Sequence, residues 1–162
     1  MKAVVIYESL WGNTQAVAKA IAEGIGPDAL ALSTAEATSE VVGGAELIVA
    51  GAPLQAFSLP TEKVRARIDS AGDPKPELLA PTLRSWLEQL PLGHGRSAAF
   101  DTKLRWLPGS AANVIDRELT RVGYVPVLKA EHFLVEGRNG PLRDGEIERA
   151  RRWGAAVAAA IR

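Results

Sequence analysis

The feature that most narrows the possible folds lies in the first 25 residues. A wholly apolar run, Ala3-Val4-Val5-Ile6-Tyr7, passes through the turn Glu8 to Thr14 into a stretch whose apolar residues Val17, Ile21 and Ile25 recur four apart. An unbroken β-branched run of this length suits a strand buried on both faces, as in a parallel sheet, and the four-residue spacing marks one face of a helix. Gly12 or Asn13 supplies a helix start, and Gly24, Gly26 and Pro27 its end. Strand, tight loop and helix in that order open a βαβ unit.

The alternation continues along the chain. Ala29 to Leu32 reads as a weak second strand, Glu40 to Val42 as a short helical stretch, and Leu47-Ile48-Val49-Ala50-Gly51 as a strong third strand. The region Ala52 to Pro60 is then expected to be a loop. Thr61 caps a helix with Val64 and Ile68 on one face, and Gly72-Asp73-Pro74-Lys75-Pro76 reads as an exposed connection. A further helix carries Leu83, Trp86, Leu87 and Leu90. Ser97 to Phe100 is the expected fourth strand, and Asp101 to Pro108 a loop leading to a helix capped by Ser110, with Ile115, Leu119 and Val122 inward. Val125 to Val135 supplies the fifth strand. The last helix begins near Asp144 and buries Ile147, Ala150, Gly154, Val157 and Ile161. Strands alternating with helices require a parallel sheet with right-handed crossovers and helices on both faces, and 162 residues suit one domain, 1–162.

Composition removes several function classes. The chain has no cysteine, which excludes disulfides, thiolate metal sites and thiol catalysis. Its formal net charge is zero, although residues 1–61 carry six acids and two bases and residues 62–162 thirteen acids and seventeen bases. Those bases are scattered and lack interleaved aromatics, so nucleic acid is not an expected partner. The first strand follows Met1-Lys2 directly, with no basic leader or cleavage site, and Ala155 to Ile161 is too short to span a bilayer. A cytoplasmic protein without a membrane anchor is expected. His94 and His132 are the only histidines, and nothing near them in sequence completes a metal set or a catalytic triad. No catalytic residue is assigned: Glu8 and Asp101, at strand ends, read as turn residues.

The first loop carries the chemistry. Between a buried strand and a helix start, unpaired N–H groups and the positive end of the helix dipole face outward, so residues 9–14 form an anion site. Ser9 and Thr14 add hydroxyls, Asn13 an amide, and Gly12 lets the backbone approach closely; the loop contains no lysine or arginine.

The seventeen residues Val5 to Ile21, VIYESLWGNTQAVAKAI, resemble the flavodoxin signature of apolar strand, Ser/Thr, Gly, Asn-Thr, Ala and aliphatic residue at this spacing. The order of strands and helices extends that resemblance along the chain and implies a flavodoxin-like doubly wound five-stranded parallel sheet with helices on both faces. It also implies FMN as cofactor. The phosphate then sits on Ser9, Leu10, Trp11, Gly12, Asn13 and Thr14, and the isoalloxazine ring lies between the loops 52–60 and 101–108. Pro53, Leu54, Gln55, Ala56 and Phe57 are the implied ring contacts in the first of these, and Asp101, Thr102, Lys103, Arg105 and Trp106 in the second, with Phe57 and Trp106 placed to stack.

Three departures from the family pattern matter. Trp11 stands where Ser or Thr is usual and removes one hydroxyl; an aromatic there is similar to the flavodoxin-like quinone reductases, but the glycine-rich fourth-strand loop usual in those enzymes is missing. The loop 52–60 lacks a glycine where a peptide flips to bond reduced flavin, so semiquinone stabilisation is not expected, because a non-glycine residue resists positive φ. The chain is neutral, whereas the family's electron shuttles are strongly acidic. The expected function is electron transfer by an FMN-binding protein, passing electrons to a redox partner protein or a small-molecule acceptor. The alternatives are an FMN-dependent quinone or small-molecule reductase and a flavodoxin-like module without flavin.

Overall fold

The computed structural model describes residues 1–70 and 76–162. The expected connection over Gly72 to Lys75 lies outside the described residues. The sheet is parallel throughout and contains β1 (Ala3–Tyr7), β2 (Leu30–Ser33), β3 (Leu47–Pro53), β4 (Arg96–Leu104), β5 (Val125–Pro126) and β6 (Glu131–Val135). Its order is β2-β1-β3-β4, with β5 and β6 paired one after the other along the far side of β4. The helices are α1 (Asn13–Ile25), α2 (Ser39–Val42), α3 (Glu62–Ser70), α4 (Leu83–Gln89), α5 (Ala111–Arg121) and α6 (Glu146–Ile161). Strand order reverses between β1 and β3, which opens a crevice at their carboxyl ends.

The apolar runs are unbroken because the sheet separates two cores. Val5 and Tyr7 face α1 and α6, together with Phe100 and Phe133, while Val4 and Ile6 face α4 and α5 through Leu83, Leu87, Ile115 and Leu119. On the first face Phe100, Phe133 and Trp153 meet edge to face at 6.0–6.4 Å between centroids. Helices α1 and α6 touch through two glycines. A Cβ on Gly24 would lie 1.9 Å from the Arg151 carbonyl oxygen, and one on Gly154 would lie 2.2 Å from that of Ile21. Gly24 therefore does not end α1, as its residue type suggested: the helix runs on to Ile25 and stops at Gly26.

Two boundaries differ from those read in the sequence. β3 extends through Ala52 and Pro53, and β4 through Asp101 to Leu104, because these residues pair with each other and β4 pairs onward with β6. In β4 the polar side chains of Asp101, Thr102 and Lys103 break the apolar pattern without breaking the backbone ladder. The fifth strand is split: Val125 and Pro126 pair with Arg96 and Ser97, but Glu131 pairs with Phe100. The sequence offset across the pairing thus grows from 29 to 31, leaving two extra residues in the outer strand, as a bulge does. Pro126, which has no N–H to give, is tolerated because it lies at the sheet edge.

That edge is covered by side chains of α6. Glu146 accepts the Leu134 N–H at 2.7 Å, and Arg149 donates to the His132 carbonyl while its guanidinium lies 4.5 Å from the Phe133 ring centroid. The outward backbone groups of β6 are so occupied, which blunts further strand pairing. Among the described residues no helix is long and apolar enough to cross a membrane.

Candidate functional site

The first loop closes on its own serine. Ser9 Oγ accepts the N–H of Gly12 at 3.1 Å and of Gln15 at 3.2 Å. Gly12, the residue before α1, has φ of 94°, a left-handed conformation that a side chain would resist, although nothing would crowd a Cβ there. The first α1 backbone bond runs from Ala16 N–H to Gly12 C=O, so the N–H groups of Asn13 and Thr14 have no acceptor within the helix. Leu10 is buried and anchors the loop. Thr14 is buried as well, and its hydroxyl lies 2.8 Å from that of Thr102 at the end of β4. One of the two hydroxyls donates to the other, which leaves the second proton to give.

The loop after β3 is a two-residue hairpin. Gln55 and Ser58 exchange both backbone hydrogen bonds at 3.0 Å, with Ala56 at φ 48° and Phe57 at φ 66° between them. Positive φ at both central residues is the type I′ pattern that Asn-Gly usually supplies. The expectation that this glycine-free loop would avoid positive φ is therefore not met. The reciprocal bonds and the close packing of Gly109 on the Phe57 backbone hold the turn: a Cβ on Gly109 would come 2.3 Å from the Phe57 carbonyl oxygen. Such strain outside glycine costs about 1–2 kcal/mol per residue and is a known mark of functional loops.

Leu10, Trp11, Asn13, Thr14, Pro53, Leu54, Gln55, Thr102 and Lys103 converge on one cavity of about 70 Å³ at the carboxyl ends of β1, β3 and β4. Phe57 and Trp106, 61% and 75% exposed, do not line it. Neither do Ala56 and Arg105, while Ser9 and Gly12 face a separate hollow with Tyr7, Gln15 and Glu77. Leu104, Leu107, Val135 and Arg138 complete the lining. Sequence reading missed these four. Arg138 belongs to a turn more than a hundred residues from the first loop, and no local signal links the two.

The strand-end carboxylates are turned inward. Asp101 is 0% exposed: Oδ2 accepts the N–H groups of Ala111 and Ala112 at the start of α5, both at 3.0 Å, and Oδ1 lies 2.8 Å from His132 Nδ1. This implied ring contact is thus occupied elsewhere and is absent from the cavity lining. The hydrogen bond to Asp101 outweighs burial and raises the His132 pKa above its ordinary 6.5. Glu8 is buried too, with Oε1 accepting the Leu83 N–H at 2.8 Å and Oε2 3.9 Å from Arg65 Nε. Burial lifts its carboxyl to about 7, against the pull of the Leu83 N–H and Arg65. A much larger groove of about 650 Å³ runs between α2 and α4, walled by Trp86, Leu90 and Tyr124. It collects none of the residues that the flavodoxin resemblance assigns to the cofactor.

No protein-family model and no curated protein matches the chain. Solved structures do. A flavodoxin from the domain Archaea superposes with a TM-score of 0.71 at 22% identity, covering 99% of each chain. Oxidised flavodoxin 1 of Bacillus cereus gives 0.67 at 18% identity over 98% of each chain. A flavodoxin, WrbA-like protein of Agrobacterium tumefaciens gives 0.65 at 20% identity, covering 99% of this chain and 97% of its own. With the strand order and the crevice at the ends of β1, β3 and β4, these likenesses identify the chain as having the flavodoxin fold.

Proposed function

We propose that the protein binds FMN at the first-loop cavity and acts in electron transfer. The observation that carries this reading is the convergence, at the carboxyl ends of β1, β3 and β4, of an α1 N-terminus with loops from both neighbouring strands. The cavity lining contains Lys103 and Arg138 and no carboxylate, which suits an anion. Asn13 and Thr14 N–H and the Thr14–Thr102 hydroxyl pair would hold a phosphate. When bound, the isoalloxazine supplies the redox chemistry by accepting and donating electrons. Pro53, Leu54 and Gln55 would border the ring, and Phe57 and Trp106, exposed on the same two loops, would cover it.

Fit has one requirement. Enclosed small-ligand sites measure roughly 300–1,000 Å³, and this cavity is about 70 Å³. It accommodates a phosphate, and the ring requires the rim side chains to part. The same observation favours the second reading, a flavodoxin-like module without flavin. An absorption spectrum of the purified protein, followed by calorimetric titration with FMN and riboflavin, separates them. The FMN reading expects a yellow protein, or a colourless one that takes up FMN, with FMN preferred at least about a hundredfold over riboflavin, since several charge-assisted bonds go to the phosphate. No uptake of either flavin supports the module reading.

A further inference from the structure

The first loop has no cation of its own, and the fold brings one to it. The chain reverses just after β6: Val135 bridges Leu142, the Glu136 N–H donates to the Pro141 carbonyl at 2.8 Å, and the Gly140 N–H donates to that of Gly137 at 3.1 Å. Arg138 and Asn139 form the corner of this turn. Gly140, at φ 105°, rests against the first residue of α1, so closely that a Cβ there would lie 2.7 Å from the Asn13 side-chain amide. The contact fixes the turn over the first loop. Arg138 consequently sits with its guanidinium carbon 5.8 Å from the centre of the Trp11 ring and lines the cavity.

The two cations of the cavity are not equivalent. Lys103 Nζ donates to the Gly109 carbonyl at 3.2 Å. Arg138 has no carboxylate within ion-pairing distance among the described residues; Glu136, in its own turn, lies 3.8 Å from Arg143 instead. A guanidinium lying over an indole is attracted to the ring by its face and keeps its in-plane N–H donors available, the geometry that matches phosphate. Trp11, which removes a hydroxyl from the loop, supplies that face.

Resting on the FMN reading, we propose that Arg138 is a phosphate ligand of the first-loop site and that Trp11 positions it. The pair replaces the missing hydroxyl with a charge-assisted contact contributed by a distant turn. Arg138 is exposed, so its substitution leaves the fold intact, which circular dichroism checks.

The test is calorimetric titration of FMN and riboflavin into flavin-free protein. Arg138→Gln is expected to weaken FMN binding about tenfold to a hundredfold and leave riboflavin unchanged. It should also flatten the fall of FMN affinity with rising salt. Arg138→Lys should recover part of the loss. Trp11→Leu should weaken FMN binding in the wild-type background and add little in Arg138→Gln, because the guanidinium that Trp11 positions is then already absent. An unchanged FMN-to-riboflavin ratio in Arg138→Gln overturns the assignment of Arg138 and leaves the FMN reading standing. Equal affinities of the wild type for FMN and riboflavin overturn that reading and this inference with it. Additive losses in the Trp11 and Arg138 variants overturn the positioning role of Trp11 alone.

Discussion

Replacing Glu8 by Gln isolates one buried titration. The carboxyl ends β1, accepts the Leu83 N–H through Oε1, and is lifted by burial from its ordinary 4.5 to about 7. A group whose folded pKa lies above its unfolded one gives stability that is fully present below the unfolded value and is lost as pH rises through the folded one. For Glu8 that window runs from 4.5 to about 7. At about 1.4 kcal/mol per tenfold, the loss across it is about 3 kcal/mol. Glutamine keeps an acceptor for the Leu83 N–H and carries no charge at any pH, so the variant escapes the loss. Denaturant unfolding of both proteins across this range should give nearly equal stabilities at the acid end. On the alkaline side of the window the variant should be more stable by about 3 kcal/mol, roughly 6–12 °C in Tm for a domain of this size. Taking the difference removes the contributions of His132 and Glu146, which the substitution does not touch. Parallel curves, or a variant less stable on the alkaline side, would refute the argument and show that attraction to Arg65 governs this carboxylate.

Gly154→Ala should destabilise by about 1–3 kcal/mol in denaturant unfolding although alanine is the better helix former, because the new methyl meets the Ile21 carbonyl; a stabilised variant would contradict the close approach of α1 and α6. Thr14→Val should weaken FMN binding by roughly 1–3 kcal/mol and also cost the flavin-free protein about 1–2 kcal/mol, because it orphans the buried Thr102 hydroxyl. Adding Thr102→Val should return most of that stability, and simple additivity in the double-mutant cycle would count against the hydroxyl pair. The stability that His132 contributes is present below pH 6.5 and lost as pH rises through its raised folded value. Asp101→Asn should therefore lower the imidazole midpoint read by NMR, and an unmoved midpoint would show that Asp101 does not hold the ring.

How much of the site was legible depends on how far apart in the chain its parts lie. Asn13 and Thr14, which line the cavity, are legible as a helix start because an apolar run and a glycine precede them within ten residues, which leaves their N–H groups without an acceptor in the helix. The end of β4 reads as a loop because Asp101, Thr102 and Lys103 interrupt the apolar pattern. Their partners, the α5 N-terminus, Thr14 and the Gly109 carbonyl, are contributed by other elements. The hairpin at Ala56 and Phe57 was missed for a similar reason: two residues with no preference for positive φ are held there by the Gln55–Ser58 bonds and by Gly109.

Periodicity and residue chemistry, which act over a few neighbours, determined the strands, most helix starts, and the parallel sheet with its two covered faces. Only the tertiary structure decided where Gly24 and Gly154 spend their missing side chains, which way Glu8 and Asp101 turn, how the fifth strand breaks, and that Arg138 stands over Trp11. Each of these depends on atoms from segments far apart in the chain. A local pattern cannot encode a contact whose partner is set by the packing of two helices or by the register of an edge strand.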